Sequence, residues 1–313
     1  MVKNHKNKIQ IKVNKTLNMN KKSGFGLFIS VVSVSFAAIF IETLLRRGMQ
    51  PVSIAFYRLL FTVLFLLPIL LFYKKYRTEL LNINKKTFLL MLGIGIILSI
   101  HFYTWVTSLN YTSVASSVIL VTAHPVLVAP VAYYFLKEKL SILNISGIII
   151  SLIGVAILVL GNYDLGPLTL DSIEGNILAI IGGICAGLYI LGGRKVRKKV
   201  SVVSYAFVVY SIATFVLFFV FIFSQTDSYS IKIEDYGILI LMAFVAGILG
   251  HTLYNWSLKY IRASVASVAL LGEPIGSTLF AYMAPWISEI PSSYTFIGGA
   301  IILTGIYLTS RDK

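Results

Sequence analysis

Six side chains in otherwise apolar stretches can change charge or form strong pairs: Glu42, Arg58, His101, His124, His251 and Glu273. Imidazole, carboxylate and guanidinium groups could move protons, hold a metal or bind a charged solute. Two of the six are followed directly by proline, His124–Pro125 in "VTAHPVLVAP" and Glu273–Pro274 in "LLGEPIGSTL". A proline removes one backbone donor and frees a carbonyl one turn earlier. In hydrocarbon that is tolerable only where neighbouring groups or water take up the slack. Two readings follow. Each pair marks a wet, partly broken helix lining a central cavity, or a packed kink in which Glu273 bonds a nearby serine.

The elements that must carry these residues are apolar helices. The 313 residues are 57% apolar and 12% charged, with a mean hydropathy of +0.85, against about 25% charged in soluble domains. Ten apolar runs, near 24–44, 52–73, 87–108, 113–136, 142–160, 174–193, 201–224, 236–258, 263–284 and 293–310, are each long enough for a bilayer core of about 30 Å. Helices are expected because lipid gives the backbone no partners. The alternation of transmembrane strands is absent. At about 1.5 Å per residue, Glu273 lies ~15 Å past Ala263 and His124 ~16 Å past Ser113, both near the midplane. The expectation is an all-α integral membrane protein of ten transmembrane helices, with almost nothing left for a soluble domain.

Of the 27 Lys and Arg residues, 23 fall in segments 1–23, 74–86, 137–141, 194–200, 259–262 and 311–313. Only Arg46, Arg47 and Lys232 fall in the intervening loops, and Arg58 is within a span. This positive-inside bias puts both termini in the cytoplasm of a multi-pass plasma-membrane protein. It also accounts for the net charge of +15 without nucleic acid, since no aromatic-rich basic surface accompanies it. Residues 1–23 read as a solvated basic tail without fixed structure, and 311–313 as a cytoplasmic end. The single cysteine, Cys185, excludes an internal disulfide.

The chain contains a repeat. "SLNYTSVASSVILVTAHP" (108–125) aligns without a gap over "SLKYIRASVASVALLGEP" (257–274). After two inserted residues, Glu138 lies over Glu289, Gly147 over Gly298 and Gly154 over Gly305. Two five-span halves result, 24–160 and 174–310, joined by an external linker at 161–173. A unit with an odd number of spans starts and ends on opposite sides, so its second copy is inverted. Inverted repeats serve alternating access in many secondary transporters, with the substrate near the midplane at the repeat interface. The runs "HPVLVAPVAYYFLKEKLS" (124–141) and "EPIGSTLFAYMAPWISE" (273–289), with Arg58 in "AFYRLLF", resemble the ten-span drug/metabolite transporter superfamily, in particular its EamA-type members. The resemblance covers 24–310. It implies a secondary carrier for a small metabolite or drug-like molecule, with no cofactor.

The remaining candidates follow from position. His101 shares a helix face with Trp105, and His251 with Asn255. The inverted topology puts the two histidines toward opposite ends, where they could line two vestibules or be satisfied structural histidines. Trp105, Tyr254, Tyr111 and Tyr260 supply aromatic surface suited to amino acids, nucleoside-like metabolites or drugs. Glu42 and Arg58 approach the same face from consecutive helices and are expected to form a structural ion pair, with direct substrate binding by Arg58 as the alternative. A membrane-embedded enzyme or a channel is the competing class. There is no HExxH motif, the histidines sit at three depths, and no Walker-type loop is present, so neither a metal nor intrinsic ATP hydrolysis is expected. Either a monomer or a homodimer is compatible with the chain.

Overall fold

The computed structural model describes residues 2–112, 117, 120–162, 170–224, 231–284, 286 and 291–311, and every regular element among them is helical. Eight helices are long and apolar enough to cross a membrane, and two shorter apolar helices, Leu120–Leu136 and Ile142–Leu158, complete the ten spans. Ser113, Glu289 and residues 163–169 of the linker lie outside the described residues.

One expectation fails at the N-terminus. The tail is not irregular: the first helix runs unbroken from Val2 to Arg46. No proline or glycine precedes Gly24, so the helix nucleated by the first span extends back at little cost per residue. Spans two and three occupy Pro51–Phe72 and Lys85–Ser108. The short helix Lys74–Leu81 lies between them, where Glu79 accepts hydrogen bonds from the Ser201 backbone N–H at 2.9 Å and from the hydroxyls of Ser201 and Ser204. Partial burial opposes ionisation of Glu79. The bonds from Ser201 and Ser204 outweigh it and hold the carboxyl below its ordinary range. The start of span seven, Val202–Phe223, is thereby fixed to the loop before span three.

Three spans depart from a plain α-helix, and these shape the interior. In span four Ala123 and His124 form a turn, and the helix restarts at Pro125 and runs to Leu136. Span nine is the helix Ala263–Ala269, a 3₁₀ turn Leu270–Gly272, and a second helix from Glu273 to Met283. Both helices that follow a break carry a proline within their first two residues, where its missing N–H is harmless. Span eight, Ile233–Ser257, is wound as a π-helix over Ala243–Thr252. The sequence carries no warning of this.

Spans five and ten, Ile142–Asn162 and Ser293–Ser310, are pressed backbone to backbone. A Cβ on Gly147 would lie 2.6 Å from the Gly305 carbonyl oxygen, and one on Gly298 would lie 2.7 Å from that of Gly154. The aligned pairs Gly147/Gly298 and Gly154/Gly305 thus meet crosswise about the pseudo-two-fold axis, as inverted copies require. Asn144 Nδ2 donates to the Thr309 carbonyl at 2.8 Å across the same contact. In lipid, close approach and interhelical hydrogen bonds replace the hydrophobic drive. Gly305→Ala, whose Cβ would sit 2.5 Å from the Gly147 carbonyl, should lower the melting temperature of the purified protein, consistent with overpacking of about 1–3 kcal/mol. Gly93→Ala, with open space around it, should leave melting unchanged or raise it, because alanine is the better helix former. Equal effects at both sites would remove the packing argument.

Candidate functional site

A cavity of about 150 Å³ opens between the two halves of the bundle. The first half supplies Arg58, His101, Trp105 and His124 to its wall, and the second supplies His251, Tyr254, Glu273 and Pro274. All seven substrate-binding candidates therefore reach one space. Pro125 does not line it; its role is to restart the helix below His124. Most of the wall comes from mid-span and from the end of the bundle opposite the chain termini: Ala37 and Ala38 of span one, Leu158 of span five, Ser277 and Thr278 of span nine. Toward the termini, Tyr189 and Tyr254 form the floor, and beneath them Tyr205, Tyr210 and Leu258 are buried.

The Glu42–Arg58 ion pair does not form. Glu42 Oε1 pairs with Arg46 Nε at 2.7 Å, one turn along the same helix and largely exposed. Arg58 is only 2% exposed, and its guanidinium stacks on the Phe102 ring, 4.4 Å from the centroid. A helical neighbour at i+4 is always within reach, whereas Arg58 points inward from a different helix. No ion pair of Arg58 exists among the described residues.

The two vestibules also merge into one site. His101 and His251 flank the same ring, with centroids 4.9 and 5.6 Å from Phe102. His101 further stacks on Trp105 at 5.9 Å. The Gly182 carbonyl lies 2.9 Å from His101 Nδ1. A carbonyl only accepts, so Nδ1 carries the hydrogen, and Nε2 of the neutral ring is left as an acceptor. The π-helical turn carries His251 to this position. Glu273 does not bond a serine through its carboxylate. Ser35 and Ser277 donate instead to its backbone carbonyl, at 3.2 and 2.9 Å, which ties span one to the break in span nine.

Phe102 and Tyr189 were not singled out from the sequence. Phe102 is one aromatic among 20 phenylalanines, and nothing distinguishes it before folding. Tyr189 left a usable signal: a phenol in an otherwise small-residue span needs a partner. That partner is Asn255 Nδ2, which also donates to Tyr210 Oη at 3.2 Å and to the His251 carbonyl at 2.7 Å.

An inverted pair of five-helix units around a central cavity with few polar groups defines a membrane transporter. The EamA-like transporter family matches residues 22–160 and 173–311, and the chain belongs to it. It is 24% identical over 303 residues to an uncharacterized transporter of Archaeoglobus fulgidus, covering 94% of this chain and 99% of that one. It is 24% identical to the uncharacterized transporter YyaM of Bacillus subtilis, over 83% and 85% of the two chains. A solved crystal structure superposes with a TM-score of 0.75 at 16% identity, over 93% of this chain and 96% of that one, and shares the fold.

The corrected pairing is testable by double-mutant cycles read by thermal melting. Glu42→Ala and Arg58→Ala should be additive. Glu42→Ala and Arg46→Ala should couple by no more than about 1 kcal/mol, as exposed pairs do. Strong Glu42–Arg58 coupling would restore the pair.

Proposed function

We propose that the protein is a secondary carrier, and not an enzyme or a channel, that moves a small metabolite or drug-like molecule, an amino acid or related compound among the candidates, outward across the plasma membrane by alternating access. The observation that carries this reading is the convergence of ionisable residues from both inverted halves on one cavity at mid-span. Both termini face the cytoplasm in this reading, supported by the distribution of basic residues. Single cysteines at the exposed positions Asp171 and Lys198, in a Cys185→Ser background, should label from opposite faces of intact cells. Labelling of Lys198→Cys from outside would reverse the orientation.

A built closure at the termini end supports the alternating-access part. Lys137 takes a left-handed backbone, φ 55°, which ends span four and turns Glu138 inward. The Glu138 carboxylate, 7% exposed, accepts from the Ala263 and Ser264 backbone N–H groups at 2.8 and 3.3 Å and from Ser264 Oγ at 3.1 Å. Arg194 Nε donates to it at 3.3 Å, and Arg194 Nη1 donates to the Leu258 carbonyl at 2.6 Å. One carboxylate therefore ties spans four, six and nine together below the cavity, and eight through Arg194. These include both spans broken at the His-Pro and Glu-Pro pairs. Opening that end requires the latch to part. Ala266, fully buried one turn above it, reports on this: Ala266→Cys should be inert to a polar thiol reagent, and adding Glu138→Ala should expose it without loss of cooperative melting. A latch that is only structural would leave Ala266→Cys protected or unfold the protein.

Flux in proteoliposomes should saturate with substrate, and loading unlabelled substrate on the far side should accelerate it. Linear flux without such stimulation is channel behaviour and would count against the carrier.

A further inference from the structure

Four buried polar atoms without a hydrogen-bond partner among the described residues belong to residues of this one cavity: Arg58 Nη1, Trp105 Nε1, His124 Nδ1 and Tyr254 Oη. Roughly nine in ten buried polar groups are hydrogen-bonded, so four orphans around one space mark where a ligand or its water completes the structure. Guanidinium and indole N–H groups only donate, and the phenol can donate. The guanidinium and indole among them therefore call for acceptors in the cavity. Its permanent charge is Arg58, whose planar fork matches a carboxylate or a phosphate.

Glu273 decides between those anions. Glu273 is a partly buried residue of the same cavity wall, and its carboxylate accepts no hydrogen bond from a described residue and lies beyond ion-pair distance of Arg58. A phosphate dianion would add two negative charges beside it with only Arg58 to answer them. A simple carboxylate would satisfy Arg58 and leave Glu273 stranded, and a simple amine would do the reverse. A buried charge without its partner is costly in either case. Phe102, Leu98 and Ile190 add apolar and aromatic surface to the same wall. A dry apolar cavity of comparable volume accepts a benzene-sized guest.

From this we infer that the cargo is a small zwitterion, its carboxylate held by Arg58 and its ammonium by Glu273, with an apolar group no larger than about one ring between them. The inference rests on the carrier reading for the word cargo, and on the cavity alone for the chemistry. It assigns the two residues opposite specificities for one molecule, which neither a packing role nor a general polarity of the cavity would produce.

The test is a binding series on the purified full chain, read by thermal shift and calorimetry. The probes are glycine, L-leucine, L-phenylalanine and γ-aminobutyrate, each with its amide, which lacks the carboxylate, and its N-acetyl form, which lacks the ammonium. At least one zwitterion should bind about tenfold or more tighter than both of its derivatives, as expected for charge-assisted bonds. Arg58→Gln should abolish that preference over the amide while keeping the preference over the N-acetyl form, and Glu273→Gln should show the converse. If Arg58→Gln fails to fold, Arg58→Lys keeps the charge without the fork and should retain the preference over the amide in weakened form. Binding of an amide or N-acetyl form as tight as its parent, uniform losses in both variants, or no zwitterion bound at millimolar concentration would overturn the inference. Zwitterion binding without flux in proteoliposomes would instead overturn the carrier reading and leave the site standing, whereas saturable flux of uncharged compounds alone would do the opposite.

Discussion

A guanidinium that stays charged at any physiological pH sits inside span two, stacked on an aromatic ring and with no carboxylate partner among the described residues. In hydrocarbon such a group is tolerated only if protein or water surrounds it. The rest of the interior can be understood from that requirement. Arg58 has to face a space, the space has to be held open between helices, and the opposite charge has to be near enough to balance it. Glu273 meets the last condition from the other half of the chain, on the wall of the same cavity. The prolines, the 3₁₀ turn and the π-helical turn then have a common rationale. Each loosens a helix where it borders the cavity, and each would be costly facing lipid.

The periphery obeys the opposite rule. Where spans five and ten cross, glycines bring the backbones together and Asn144 and Ser151 bond across the contact, so this pair forms a stiff edge related by the pseudo-two-fold. The contrast between a stiff edge and broken central helices is what an alternating device needs. The breaks in spans four and nine, and the groups that tie these spans, are where the proposed alternation would act. Glu138 is the clearest tie, because four donors on two other elements converge on one buried carboxylate.

Membrane residence, ten spans, the inverted duplication and the placing of His124 and Glu273 beside one midplane cavity were legible in the sequence. They depend on composition, on parity and on the high cost of polar groups in lipid, all of which are properties of the chain read in order. Pairing was not legible. Glu42 is expected at Arg58 from the sequence because consecutive antiparallel helices bring both toward the same side of the membrane. Depth says nothing of azimuth, and on its own helix Glu42 had Arg46 at i+4. The two histidine vestibules failed for a related reason: the π-helical turn alters the phase of span eight, and local sequence does not encode that turn in any readable way. The helical tail was missed because a charged, polar segment reads as solvated even when a neighbouring helix can extend through it.

What the sequence determined by itself, then, is which groups must avoid lipid and how often the chain crosses it. Only the tertiary structure decided which of those groups meet, since partnership depends on helix rotation and on packing between residues as distant as Glu138 and Ser264. Those contacts are long-range, and a few tenths of an ångström in backbone approach, as at Gly147 and Gly305, sets which of them are made.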